Sequence, residues 1–218
     1  MEQLDYKQIL IDAGKHMLET NLTIQTWGNI SLKDPINKRI YITPSGMDYS
    51  SITKEDICVL DLDGKIIEGN RKPSVEKMLH VNLYKQQPQT NAILHTHPMS
   101  SMVFAVLHKD IPIITDEMAQ AIGNTVKCAK YALPGSIQLA NNVCEAIQQN
   151  KACLLANHGA ICTGKDIKEC FKVATVLETS SQIYYQSLTI SKPYIINQED
   201  VAWMYDFAQN KYGQGDKK

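Results

Sequence analysis

No excess charge of either sign marks this sequence: 22 Lys and Arg stand against 23 Asp and Glu, a formal net charge of -1 over 218 residues. A chain without a basic field has nothing to draw phosphate backbones or anionic lipid, so neither nucleic acid nor a membrane is expected as a partner. Long apolar runs are missing too. No stretch reaches the length needed to cross a bilayer, and Met1 to Glu19 is charged throughout, without the apolar centre of a secretory leader. The six cysteines form no C-x-x-C pair and lie mostly inside apolar runs such as Ala152-Cys153-Leu154-Leu155, which reads as reduced core residues. The expectation from these absences is a soluble protein of a reducing cytoplasm. There is also no G-x-x-x-x-G-K-[ST] or G-x-G-x-x-G motif to hold a nucleotide. Internal repeats, low-complexity tracts and linkers rich in Pro, Gly and Ser are absent, so one domain spanning residues 1–218 is expected. With 44% hydrophobic and 21% charged residues, the chain has the balance of a globular protein rather than a disordered one.

What is present is a succession of period changes. From Tyr6 to Thr20, the residues Ile9, Leu10, Ala13, Met17 and Leu18 recur at helical spacing and form one apolar stripe. From Trp27 the period drops to two. Ile30 and Leu32 alternate with Ser31 and Lys33, and Ile40 and Ile42 flank Tyr41 beyond the turn Asp34-Pro35-Ile36-Asn37, which predicts a hairpin. Cys58 to Leu62 and Lys65 to Ile67 flank Asp63-Gly64, the signature of a two-residue hairpin turn. Pro73-Ser74 then opens a helix with Ser74 as N-cap, Glu76 in its first turn, and Val75, Met78, Leu79 and Leu83 as the buried stripe. Ala92 to His97 reads as a short strand ended by Pro98, which can begin the next helix. Ser136 to Gln149 is helical on Leu139, Val143, Ala146 and Ile147, and strands at Ala152 to Ala156 and Ala160 to Thr163 enclose Asn157-His158-Gly159. Helices from about Asp166 to Leu188 and from about Glu199 to Asn210 complete the pattern.

The chemistry-bearing residues are few. In a strand, alternate side chains share a face, so His95 and His97 project together with Cβ atoms roughly 6 to 7 Å apart. That spacing suits one ion reached at about 2.0 to 2.1 Å from each nitrogen. Two half-buried strand histidines would look the same. His158, between two apolar strands and beside a glycine that permits close approach, is a third candidate, or a surface turn histidine. Together the trio offers the neutral nitrogen ligands of a catalytic zinc that keeps a position open. Glu76 and His80 lie four residues apart on one helix, and the spacing leaves either of them as fourth ligand or base, or both as polar-face residues. The turns Thr26-Trp27-Gly28-Asn29, Thr43-Pro44-Ser45-Gly46 and Pro73-Ser74 could grip a phosphate with backbone N–H groups, although each taken alone is an ordinary turn.

Assembled in order, the sequence resembles the class II aldolase/adducin family. The likeness rests on Gly28-Asn29-Ile30-Ser31, Thr43-Pro44-Ser45-Gly46, Lys72-Pro73-Ser74-Val75-Glu76, His95-Thr96-His97-Pro98 and Ala156-Asn157-His158-Gly159-Ala160, and it covers nearly the whole chain. It implies an α/β fold: a single three-layer domain with a mixed, mostly antiparallel central sheet flanked by helices. By the same likeness His95, His97 and His158 are ligands to one zinc ion per chain. Glu76 is the catalytic base and a labile fourth ligand. Thr26, Gly28, Asn29, Ser45, Gly46 and Ser74 contact the substrate phosphate.

The activity so implied is the reversible cleavage of a small ketose 1-phosphate to dihydroxyacetone phosphate and an aldehyde, through an enediolate. The resemblance further implies a homotetramer with active sites at subunit boundaries. Val75 stands where fuculose-phosphate members often have a second serine, and Asp116 stands where they have a tyrosine that handles the aldehyde half. Pentulose-5-phosphate 4-epimerases of the family carry an aspartate there. A 4-epimerase, or another sugar-phosphate lyase such as a dehydratase or decarboxylase, is therefore the alternative activity. A non-catalytic adducin-like domain is the alternative of another class. Near the chain end, Tyr212 of Tyr212-Gly213 matches a tyrosine that folds over the active site of an adjoining subunit.

Overall fold

The structure, a computed structural model, describes residues 4–211. Eight strands form one sheet in the order β4-β3-β2-β1-β5-β8-β7-β6. The strands are β1 (Asn29–Asp34), β2 (Arg39–Ile42), β3 (Cys58–Asp61), β4 (Ile66–Glu68), β5 (Ala92–Thr96), β6 (Lys127–Ala129), β7 (Ala152–Leu155) and β8 (Gly159–Gly164). Only β6 and β7 pair in parallel; every other neighbour is antiparallel, which gives the mixed, mostly antiparallel sheet that the resemblance implies. The helices are α1 (Tyr6–Glu19), α2 (Lys77–Gln86), α3 (Met99–Val106), α4 (Asp116–Ala121), α5 (Ile137–Ile147), α6 (Ile167–Ile190) and α7 (Gln198–Asn210).

Both faces of the sheet are covered, so the central strands are buried along their whole length rather than on alternate residues. On one face Ile30, Leu32, Ala92, Leu94 and Ala160 pack against Leu10 and Met17 of α1, Phe104 of α3 and Leu177 of α6. On the other Ile40, Leu60, Ile93, Cys153 and Ile161 pack against Leu79 and Leu83 of α2 and Leu139 and Val143 of α5. The cysteines are all free, and four of them are buried, in keeping with the reading of reduced core residues. No helix among the described residues is long and apolar enough to cross a membrane.

Two local expectations need correction. The helix expected to begin at Ser74 begins at Lys77, with Glu76 as its N-cap. Ser74 instead makes a short turn in which its hydroxyl accepts the Glu76 N–H at 3.2 Å. Val75 consequently lies outside the helix and is 63% exposed, while Leu79 and Leu83 are buried as expected. The second correction is at the hairpin of β3 and β4, where the chain reverses over Leu62-Asp63-Gly64 rather than over two residues. Asp61 N–H donates to the Lys65 carbonyl at 2.9 Å, and Gly64 sits at φ +83, the left-handed position that closes a three-residue hairpin loop. Helices α3 and α4 and strand β6 are short, and only the start of α3 had a sequence signal.

Candidate active site and metal centre

The three histidines reach one point from two neighbouring strands. His95 occupies the α2 side of β5, two residues after Ile93 on the same face. His97 follows one residue beyond the strand; its N–H donates to the Leu22 carbonyl at 2.8 Å, and its ring lies under Trp27 at 6.3 Å and 13°. His158 ends the three-residue turn that joins β7 to β8. That turn is clamped by the end of α3: Asn157, at φ 56, donates its N–H to Ala105 at 3.1 Å and accepts from the His108 ring with its side-chain oxygen. Gly159 is required by space. A Cβ there would stand 2.4 Å from the Thr96 carbonyl oxygen and 3.1 Å from the edges of both His95 and His97.

The ligand-bearing atoms of His95, His97 and His158 lie within 4.8 Å of one another. The His95 Nε2 is 3.0 Å from that of His97 and 3.2 Å from that of His158. Tetrahedral bonds of about 2.05 Å would set such nitrogens roughly 3.3 Å apart, so the cluster has the dimensions of a metal site. His95 Nδ1 faces the Ala160 carbonyl at 3.1 Å. A carbonyl can only accept, so this nitrogen carries the proton and Nε2 keeps its lone pair for the ion. Burial is the first cause that holds all three imidazoles neutral, pulling His95 and His158 to about 4 and His97 to about 3. The neighbouring imidazoles add to the depression at His97 and His158, while Glu76 opposes it.

Glu76 completes the group. It is 5% exposed; its Oε2 lies 3.2 Å from His95 Nε2, and its Oε1 lies 3.6 Å from His158 Nε2. Oε1 is buried without a hydrogen-bond partner, an unsatisfied acceptor of the kind a cation would complete. Oε2 accepts from Asn29 Nδ2 at 2.8 Å. His80, left open by the sequence as ligand or base, is excluded from both by its partners: Asn29 on one ring nitrogen and Ser31 on the other. Full burial, with a smaller contribution from His95, pulls its pKa to about 3.

The three turns are drawn to one place beside Glu76. Thr43 N–H donates to Ile30 at 3.0 Å, Ser45 N–H to Lys72 at 2.9 Å and Ser74 N–H to Thr43 at 3.1 Å, so Thr43 to Ser45 runs antiparallel to Lys72 to Ser74. Ser45 and Gly46 are exposed there, Thr26 and Gly28 are half-buried, and Asn29 and Ser74 are buried. Gly28, at φ +74, passes so close to β5 that a Cβ would stand 2.5 Å from the His95 carbonyl. Its own carbonyl accepts from the Tyr49 hydroxyl at 2.8 Å, and the Tyr49 ring rests on Gly14 of α1, where a Cβ would come within 2.4 Å. Sequence reasoning gave no role to Tyr49, Trp27, Ser31 or Tyr84, whose hydroxyl lies 2.8 Å from Ser31 Oγ, although Trp27 and Ser31 stand inside the quoted motifs.

One expected residue, Asp116, lies apart from this constellation in the described chain. Asp116 stands in the first turn of α4, after the N-cap Thr115, a place that suits a carboxylate on helix-dipole grounds alone. Among the described residues no hydrogen bond or ion pair joins it to Glu76 or the histidines. Tyr212 lies outside the described residues.

The family model "Class II Aldolase and Adducin N-terminal domain" matches residues 8–185. A 5-deoxy-D-ribulose 1-phosphate aldolase of Bacillus thuringiensis serovar kurstaki is 37% identical over 89% of this chain and 91% of its own. The L-fuculose phosphate aldolase of Escherichia coli K12 is 32% identical over 93% of each chain. A solved L-fuculose 1-phosphate aldolase superposes with a TM-score of 0.92 at 33% identity, covering 96% of this chain and 98% of that one. Class II aldolases are metal-dependent, and the histidine cluster is where this chain could hold the ion. With the family model over most of its length and aldolases as relatives along nearly all of it, the chain belongs to the class II aldolase and adducin N-terminal domain family and is one of its lyases.

Proposed function

We propose that the chain is a zinc-dependent aldolase that reversibly cleaves a ketose 1-phosphate to dihydroxyacetone phosphate and a small aldehyde. The observation that carries this reading is the Glu76 carboxylate lodged among three neutral histidines with its Oε1 unpartnered. That donor set, three imidazole nitrogens and a carboxylate, suits zinc. When bound, the ion would act as a Lewis acid on the substrate's carbonyl, where negative charge develops. His95, His97 and His158 would hold it. Glu76 would exchange the proton at C3 of dihydroxyacetone phosphate, one Oε remaining on Asn29 while the other faces the substrate. The turns carrying Thr26, Gly28, Asn29, Ser45, Gly46 and Ser74 would anchor the phosphate through backbone and hydroxyl donors, without a net positive field.

Both named substrates, 5-deoxyribulose 1-phosphate and fuculose 1-phosphate, are ketose 1-phosphates that differ in the carbons beyond the cleaved bond. Common residues around the C1 to C3 half and uncommon ones around the aldehyde half are what such a pair requires. Exposed Trp27, Val75 and Met99 border the histidine end, which supports a homotetramer in which neighbouring subunits close the aldehyde side and bring Asp116 and Tyr212 to bear. The setting proposed is the cytoplasm. The test incubates the protein, with zinc and after chelation, with ketose 1-phosphates, their 5-phosphate counterparts and the unphosphorylated sugars, products being identified by mass spectrometry. Zinc-dependent release of dihydroxyacetone phosphate is expected. Inversion at C4 without cleavage would overturn it in favour of an epimerase, and equal rates on unphosphorylated sugars would overturn the phosphate assignment.

A further inference from the structure

Strand β1 presents Asn29, Ser31 and Lys33 to α2, and the facing residues are Glu76, His80 and Tyr84. The two series stay in step because two strand residues advance about 6.6 Å while four helix residues advance about 6.0 Å. Asn29, Ser31, Glu76, His80 and Tyr84 are each 5% exposed or less, so their polar atoms are satisfied within the protein rather than by solvent. The Tyr84 hydroxyl lies 2.8 Å from Ser31 Oγ, which lies 2.7 Å from His80 Nδ1. His80 Nε2 meets Asn29 Oδ1, and Asn29 Nδ2 meets Glu76 Oε2 at 2.8 Å.

Donor and acceptor roles are fixed from the carboxylate end. An ionised carboxylate only accepts, so Asn29 turns its amide nitrogen to Glu76 and its oxygen to His80. That oxygen only accepts, so the His80 proton sits on Nε2. The buried neutral ring then offers a lone pair at Nδ1, which Ser31 fills as donor. With its single proton spent, Ser31 accepts from Tyr84. Every proton points the same way, toward the carboxylate. An apolar filling of the same volume would hold helix to strand as well, so a ladder of five buried polar groups needs a further reason.

We propose that His80, locked by Ser31 and Tyr84 as the neutral Nε2–H tautomer, is a positioning residue that fixes the direction of the Asn29 amide. Asn29 in turn holds Glu76 Oε2, so that Oε2 stays against His95 and Oε1 is turned toward His158. Without the lock, Asn29 can flip and present its oxygen to the carboxylate, which then swings from its place. The inference rests on the proposed role of Glu76 as base, but its first measurement does not depend on activity. A long-range 15N–1H spectrum of histidine-labelled, zinc-loaded protein should show His80 neutral and protonated on Nε2. A ring protonated on Nδ1, or on both nitrogens, would overturn the proposal whatever the reaction proves to be.

The second measurement compares H80L with H80Q. Gln can donate its amide to Asn29 and accept from Ser31; Leu can do neither. With zinc content and melting temperature held, H80L should lower kcat about ten- to a hundredfold at a KM within about twofold, and H80Q should restore most of it. Unchanged kcat in H80L, or equal losses in both variants, would overturn the proposal. Should H80L fail to fold, the tautomer spectrum and the H80Q kinetics decide it.

Discussion

Glu76 touches His95 and Asn29 at once, and Glu76→Gln changes the charge while leaving the shape. Turnover should fall at least about a hundredfold, the usual scale for a positioned general base, with the chain still folded by circular dichroism. Steady-state kinetics check it, and retention of most activity would remove Glu76 from the role of base. Gly159 makes a different prediction. Its backbone lies in β8 without a left-handed angle, so Gly159→Ala has no strain in φ to overcome, yet the new methyl meets the Thr96 carbonyl and both imidazole edges. Zinc retained after dialysis, measured by elemental analysis, should drop well below one ion per chain. Full retention would mean that the cluster gives way more easily than its spacing implies. The H-x-H pattern and the glycine beside His158 made this histidine cluster legible in the sequence, because strand alternation alone puts two imidazoles on one side. Nothing local distinguished Glu76 from His80. That distinction came from Asn29 and Ser31, which occupy both ring nitrogens of His80 from a strand forty-nine residues or more away in sequence.

At the scale of elements, the long periodic helices and the first hairpin followed from spacing. The start of α2 did not, because Ser74 caps its own turn two residues on. Helix α4 has six residues and strand β6 three, too few for a period to declare itself. Helix α3 is held by a partner that no local pattern reveals: Glu178 of α6 accepts from the Ser100 N–H at 2.7 Å and from the Ser101 N–H and hydroxyl at 2.8 Å each. A carboxylate over the first turn meets both orphan donors and the helix dipole. Glu178→Gln should cost about 1–2 kcal/mol, read as a lower urea midpoint at unchanged slope; an unchanged midpoint would show that water serves those donors equally well. Asp56, which precedes β3, supplies a pH prediction. The Thr53 N–H, then the Arg71 guanidinium, hold its carboxyl down at about 2, below an unfolded value of about 3.9. A depressed acid contributes stability that is complete above the unfolded value and lost as pH falls toward the folded one. Denaturation midpoints between about pH 4 and pH 2 should therefore fall less steeply in Asp56→Asn than in the parent. Parallel curves would refute the assignment.

For the whole molecule, the sequence carried the layers but not the order of strands. That β1 lies beside β5, across three intervening elements of sheet, and that β6 joins β7 in parallel are settled by packing between distant segments. Large apolar side chains next to the site residues along the chain are exposed: Met99, two residues after His97, is 83%, Val75, just before Glu76, is 63%, and Trp27, stacked on His97, is 52%. Exposed apolar side chains beside a site call for another surface. Sedimentation should show a tetramer at micromolar concentration, and Val75→Asp with Met99→Asp should shift it to smaller species; a monomeric parent would overturn the assembly and the shared-site reading with it. The contact between Gly14 and Tyr49 bears on how the chain can be altered. Tyr49 clasps the Gly28 carbonyl, and Gly28 lies against His95, so the seat of the first turn is decided from the opposite side of the sheet, inside the first helix. A methyl at position 14 would act as a wedge there, prising the clasp without touching a single residue of the proposed phosphate site. The first helix is thus a fitting of the proposed site as well as part of its wrapping, and Gly14→Ala should register as weakened substrate affinity alongside a lower melting temperature.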